Sequence, residues 1–197
     1  MPEIESRWWK SDELLAFAHS IRTATPAHEF FTVPAYKKVR EAISAAEFAA
    51  RRPWDKDWQV RPVHEDEQFP DVELRSGDDI RSFEIVEADR ENRRRGDEYR
   101  DAKDRPNELE FYDRGEEAAI ALNEIHRVVK QKAAKRYSPK PHLLVHVNLS
   151  GGEPSNLYAQ SLQCEFGDCF QSVWLLWQKG TFRLWPNPAK IKAAEPS

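Results

Sequence analysis

The chain has 197 residues, 40% of them hydrophobic and 11% aromatic, which is enough to bury a core within a single domain. Its formal net charge of −4 excludes a globally basic surface for nucleic acid but not a local basic groove. No apolar run approaches the roughly 18 residues of a membrane span, and the opening MPEIESRWWKSDE lacks the basic-then-apolar pattern of a secretory signal, so the expected compartment is the cytoplasm. Cys164 and Cys169, the only cysteines, then read as reduced thiols rather than a disulfide.

Ser11 reads as a helix N-cap, with Asp12 and Glu13 suited to the positive end of the first turn. Leu14, Leu15, Phe17, Ala18 and Ile21 continue as a helical stripe that Pro26 ends, and Trp8 and Trp9 are expected to pack on the domain or on a partner. Residues 29–33 (EFFTV) fit no single period. Pro34 suits the first position of a second helix, on which Tyr36, Val39, Ile43, Ala46 and Ala50 repeat, and which also carries Glu41 and Glu47. A loop over 54–58 (WDKDW) and a first strand over 59–64 lead to residues 69–89, FPDVELRSGDDIRSFEIVEAD. There Val72 and Leu74 alternate with polar neighbours, residues 76–79 supply turn chemistry, and residues 80–88 form a longer apolar strand: a hairpin.

Residues 90–107 are a dense mixture of charges in which Arg93, Arg94 and Arg95 are candidate phosphate contacts, against the blander reading of a salt-laced surface loop. Residues 116–137 make the clearest helix, with Ala118, Leu122, Ile125, Val129 and Ala133 as its stripe, Glu116 and Glu117 at its start, and Lys130, Lys132, Lys135 and Arg136 at its end. Residues 142–149 (HLLVHVNL) read as a buried strand, 155–166 as a short helix, and 170–177 and 181–185 as a final strand pair. The order α, α, β, β, β, α, β, α, β, β predicts an α/β fold: a mixed central β-sheet flanked by helices. The chain divides as an N-terminal helical arm (1–33), a core (34–188) and a tail (189–197) of one domain.

The hairpin is marked by its acid. Asp71 and Glu73 lie on its first strand, Glu84 and Glu87 on its second, and Asp89 just beyond. Carboxylates within apolar strands are costly unless compensated. A hard divalent cation compensates them with oxygen ligands, and so do basic partners such as Arg75, Arg81 and Arg90.

Four features together resemble the PD-(D/E)XK nuclease superfamily, the restriction-endonuclease-like fold. Pro70-Asp71 matches its first signature, a second acid follows on the next strand, the helix running into KQKAAKRY and then LLVHVN matches the succeeding helix and strand, and a glutamate-bearing helix (Glu41 or Glu47) precedes the hairpin. The resemblance spans about 120 residues, from Pro34 to Asn148. It implies a nuclease hydrolysing DNA phosphodiester bonds with Mg²⁺ or Mn²⁺, in which Asp71 is the first metal ligand. The second acid is Glu84 or Glu87. Glu87 and Asp89 share a strand face while Glu84 lies on the other, which favours Asp71, Glu87 and Asp89 as the metal set with Glu84 assisting catalysis. The motif's lysine, two residues past the second acid, is missing in either frame. Arg90, Lys130 and Lys132 are the possible donors, and Lys132 joins Arg93, Arg94 and Arg95 as a candidate nucleic-acid contact. The alternative is a catalytically inactive relative kept as a binding or assembly module.

Elsewhere the signals are plainer. His142 and His146 share a strand face, and a strand histidine is more often a satisfied core residue than a ligand. The spacing Cys164-x4-Cys169 lacks the second ligand pair of a structural zinc site. Trp174 and Trp177 fall on opposite strand faces, so one is expected in the core and the other exposed, where it would suit a homo-oligomer or another partner.

Overall fold

The structure, a computed structural model, describes residues 4, 6–64, 69–89, 114–149, 168–177 and 180–186. The protein is of the α/β class. Its strands are β1 (Trp9–Lys10), β2 (Gln59–Pro62), β3 (Val72–Ser76), β4 (Asp79–Ala88), β5 (His142–Val147), β6 (Ser172–Trp177) and β7 (Gly180–Trp185), and they form a seven-stranded mixed sheet in sequence order. The described helices are α1 (Ser11–Ala24), α2 (Ala27–Thr32), α3 (Lys37–Ala50) and α4 (Arg114–Ala133). The chain divides into two compact units, residues 1–80 with 92–112 and residues 81–91 with 113–197. The helix expected over 155–166, Cys164, Arg90, Arg93, Arg94, Arg95 and the tail lie outside the described residues.

In the first unit α1 buries Leu14, Ala18 and Ile21, one face at i, i+4 and i+7. Lys10, not Ser11, flanks it, and no side chain caps it, so Ser11 is the first helical residue. The ambiguous EFFTV stretch is helical: α2 buries Phe30, whose ring meets Phe31 edge-on and Tyr36. Pro34–Tyr36 is a single 3₁₀ turn leading into α3. α3 buries Val39, Phe48, Ala49 and every residue from Glu41 to Ala46, so it is covered nearly all round, and alanines at 42, 45, 46 and 49 let its neighbours approach closely. Ala18, Ile21, Phe30, Val39 and Ile43 form the cluster at its heart.

β1, β2 and β3 pair antiparallel. Their register sorts the side chains cleanly. Val60 opposite Leu74 and Pro62 opposite Val72 are buried, while Gln59 opposite Arg75 and Arg61 opposite Glu73 make a polar ladder on the other face. Trp9 lies opposite Val60 and stacks on Phe17, whereas Trp8 lies under the Arg75 guanidinium, 4.3 Å from its carbon to the ring centre. Within 51–58, Arg52, Trp54 and Asp55 take left-handed backbone angles, and Trp58 donates from Nε1 to the Pro53 carbonyl at 2.7 Å.

In the second unit β4, β5 and β6 run parallel and β7 returns antiparallel to β6. Leu143, Val145, Val147, Val173, Leu175, Trp177 and Leu184 share a core with Ile125, Val128 and Val129 of α4. The stripe of α4 is rotated from the expected one: Ala121 and Val128 are buried and Leu122 only half so. Phe83, Ile85, Leu144, Trp174 and Leu176, on the opposite sheet face, are buried too. Hence no tryptophan of β6 is exposed. Trp174 and Trp177 are 8% and 3% accessible, and their indole N–H groups donate to Ser172 Oγ and the Leu149 carbonyl. Burial on both faces is why this stretch carries an unbroken apolar run instead of an alternation.

Candidate functional site

The first unit holds a pair of buried carboxylates. Asp71 stands just before β3, where its backbone carbonyl accepts from the Val63 N–H at 3.2 Å, and its residue is 8% accessible. Glu41, on α3, is 7% accessible. The Glu41 carboxyl is raised from its ordinary value, first because burial disfavours its charge and then because Asp71 repels it; Lys38 and Lys37 pull it partly back. Lys37 Nζ lies 3.0 Å from Glu41 Oε1, and Lys38 Nζ lies 3.4 Å from Glu41 Oε2 and 3.9 Å from Asp71 Oδ1. Glu41 Oε2 nevertheless accepts no hydrogen bond among the described residues. The helical acid that resemblance left as Glu41 or Glu47 is therefore Glu41 where proximity to Asp71 is concerned, while the charge of Glu47 acts on Arg51.

The second unit holds an acid–lysine–tyrosine group. β4 pairs Glu84 with Leu143, Val86 with Val145 and Ala88 with Val147, so Glu84 projects from the α4-facing side of the sheet. There Glu84, 4% accessible, accepts from Lys132 Nζ at 2.6 Å and from the Tyr137 hydroxyl at 2.7 Å, both on Oε2. The lysine side chain is 14% exposed, so this ion pair is largely out of water. Arg136, the residue before Tyr137, has a positive φ of 51°, the left-handed conformation with which helices commonly end. Glu87 lies on the opposite face and is exposed, with the Asn148 amide donating to its Oε1. Asp89 is half-buried just past the strand. Glu84 and Glu87 therefore do not converge.

Of the three donors offered for the missing motif lysine, Lys132 is the one on a β4 acid; Lys130 is exposed. Tyr137 carried no sequence signal, because nothing in KQKAAKRY tells how the chain leaves the helix. Arg75, a possible partner for the hairpin acids, instead donates twice to Gln59 Oε1, and Glu73 is held by Arg61 at 2.8 Å. His142 is a buried core histidine, stacked on Phe83 and bonded through Nδ1 to Ser172 Oγ at 2.6 Å. Cys169 is a free, half-buried thiol. Among the described residues no group of three or more His, Cys, Asp and Glu side chains is arranged to hold a metal ion, and no helix is long and apolar enough to cross a membrane. No protein family, no characterised protein and no solved structure was found to match this chain.

Proposed function

We propose that the chain is a divalent-metal-dependent nuclease of the PD-(D/E)XK type, with a restriction-endonuclease-like fold, that hydrolyses DNA phosphodiester bonds in the cytoplasm. The observation that carries this reading is Lys132 seated on Glu84. The resemblance puts a lysine two residues past the acid of the second hairpin strand or, in some members, on a neighbouring helix, and in this reading Lys132 of α4 takes that part. The reading takes Glu84, rather than Glu87, as the strand acid, because Glu87 lies exposed on the far face.

The residues of the first unit fit a small hard cation. Asp71 and Glu41 offer carboxylate oxygens only, one of them a buried oxygen without a hydrogen bond. Mg²⁺ commonly takes one or two carboxylates and completes its shell with water and phosphate. When bound, such an ion supplies Lewis acidity toward a phosphodiester and lowers the pKa of water. In this reading Lys132, which donates to Glu84 Oε2, takes the part of the motif lysine, and Tyr137 donates to the same carboxylate oxygen.

A second reading, a catalytically inactive nuclease-like binding or assembly module, has its own observation: Glu84 is already paired with Lys132. Calorimetric titration with Mg²⁺ and Mn²⁺ separates the two. The nuclease reading expects saturable binding in the wild type that Asp71→Ala abolishes, and DNA cleavage that both Asp71→Ala and Lys132→Gln abolish. Lys132→Gln should leave metal binding in place. No metal binding with or without DNA would leave the module.

A further inference from the structure

We propose that Lys38 is a tethered competitor for the divalent cation: its ammonium faces both Asp71 and Glu41, where the metal is proposed to bind, and metal binding proceeds by its displacement. The inference rests on the nuclease reading only in placing the cation at these two carboxylates, and it needs no hydrolysis. Lys38 Nζ lies 3.4 Å from Glu41 Oε2 and 3.9 Å from Asp71 Oδ1, so one ammonium serves both acids. Neither contact is a hydrogen bond. Glu41 Oε2 accepts none, and 3.9 Å is too long for one. Lys38 therefore acts on the pair by charge alone.

The other buried ion pair shows the contrast. Lys132 donates a hydrogen bond to Glu84 Oε2 at 2.6 Å, and the Tyr137 hydroxyl donates to the same oxygen. That lysine is held by a bond as well as by charge. Glu41 instead keeps a buried oxygen whose bonding capacity its lysine leaves unused, and a buried polar atom left so is costly. The acids are fixed and Lys38 is not. Glu41 stands on α3, which is covered nearly all round, and the Asp71 carbonyl is tied to the Val63 N–H. Lys38, one turn before Glu41, has a side chain 22% exposed, and its flexible four-carbon stem can carry Nζ to water while the helix stays in place. Without the ammonium two buried carboxylates repel each other, a cost that a doubly charged ion bonding directly to oxygen offsets more fully than a lysine can. Lys38 and the cation repel each other, so one leaves as the other binds. Lys37 is a different case. It reaches Glu41 Oε1 alone, at 3.0 Å, from an exposed position.

The test is calorimetric titration of the full chain with Mg²⁺ and with Mn²⁺, without DNA, at constant ionic strength. Lys38→Met, which keeps the length of the side chain and removes its charge, should bind the metal about tenfold more tightly than wild type. Lys37→Met should gain by a smaller factor. Far-UV circular dichroism checks that the variants fold. A second measurement needs no variant: acetylation of the wild-type lysines, read by mass spectrometry, should rise at Lys38 on saturation with Mg²⁺ relative to the exposed Lys130. Equal or weaker metal affinity in Lys38→Met, an equal gain in Lys37→Met, or Lys38 labelling indifferent to Mg²⁺ overturns the proposal. The wild-type titration tells its failure from that of the nuclease reading. Metal binding that Asp71→Ala abolishes, with no gain in Lys38→Met, removes the competitor and leaves the nuclease. The same binding with the gain, but with no DNA cleavage, supports the competitor and removes the nuclease. No metal binding in either wild type or Lys38→Met overturns the proposal together with the cation site.

Discussion

Glu41 is the residue at which stability and the proposed chemistry oppose each other. Its carboxyl is raised above the ordinary 4.5 by burial first and by Asp71 second. A group whose folded value is raised contributes its stability fully below the ordinary value and loses it as pH climbs through the raised one, because the native state then holds the extra proton. Neutral pH is therefore where Glu41 is costly. Glu41→Gln should match wild type near pH 4 and exceed it at pH 8 without metal, by on the order of 1 kcal/mol, in denaturant titrations at the two pH values. If the cation reading holds, the same variant should lose the thermal shift that Mg²⁺ gives the wild type. Sequence alone could not choose between Glu41 and Glu47, since both lie on one helix six residues apart; the choice depends on where Asp71 falls against that helix. Nor could it choose Glu84 over Glu87. Alternation put them on opposite faces, but which face meets α4 depends on the pairing of β4 with β5.

At the scale of elements, the sequence reads best where one period dominates. α1, the hairpin of β3 and β4, and the strands β5, β6 and β7 are all visible as stripes, alternations or unbroken apolar runs bounded by turn residues. β1 is not, because two residues carry no period; it exists because Trp9 pairs with Val60 and stacks on Phe17. The assignment of an exposed tryptophan to β6 fails for the reason that alternation says which residues share a face and nothing about whether both faces are covered. α3 shows the same limit. Its stripe of Val39, Ile43 and Ala46 was legible, but its near-complete burial was not, since alanine suits both a buried and an exposed helix face. That burial has a consequence. Ala46 is fully inaccessible while Ala50, one turn on, is exposed. Ala46→Leu should destabilise by about 1–3 kcal/mol through overpacking, and Ala50→Leu should fall within about 0.5 kcal/mol of wild type. Urea midpoints of the two variants, with m-values compared, test the contrast.

For the molecule as a whole, charge decides how DNA would be met. A net charge of −4 repels a polyanion at long range, so any DNA binding must come from local arginines and lysines and from neutralised carboxylates. Several of the basic groups are already engaged: Lys132 with Glu84, Arg61 with Glu73, Lys56 with Asp79 and Arg127 with Glu124. Binding in EDTA should accordingly be no tighter than the non-specific range of about 10⁻⁴–10⁻⁶ M near physiological salt. In the nuclease reading a divalent cation at Asp71 and Glu41 would remove negative charge that repels phosphate, and Ca²⁺ would do so without supporting the hydrolysis that Mg²⁺ is proposed to support. Ca²⁺ should therefore tighten duplex DNA binding about tenfold or more, the equivalent of about 1.4 kcal/mol. Asp71→Ala should keep the EDTA affinity and lose the gain. Fluorescence anisotropy with a labelled duplex, at constant ionic strength, reads both values. DNA binding that is tight in EDTA and indifferent to Ca²⁺ would count for the binding module, because the affinity would then owe nothing to the buried carboxylates.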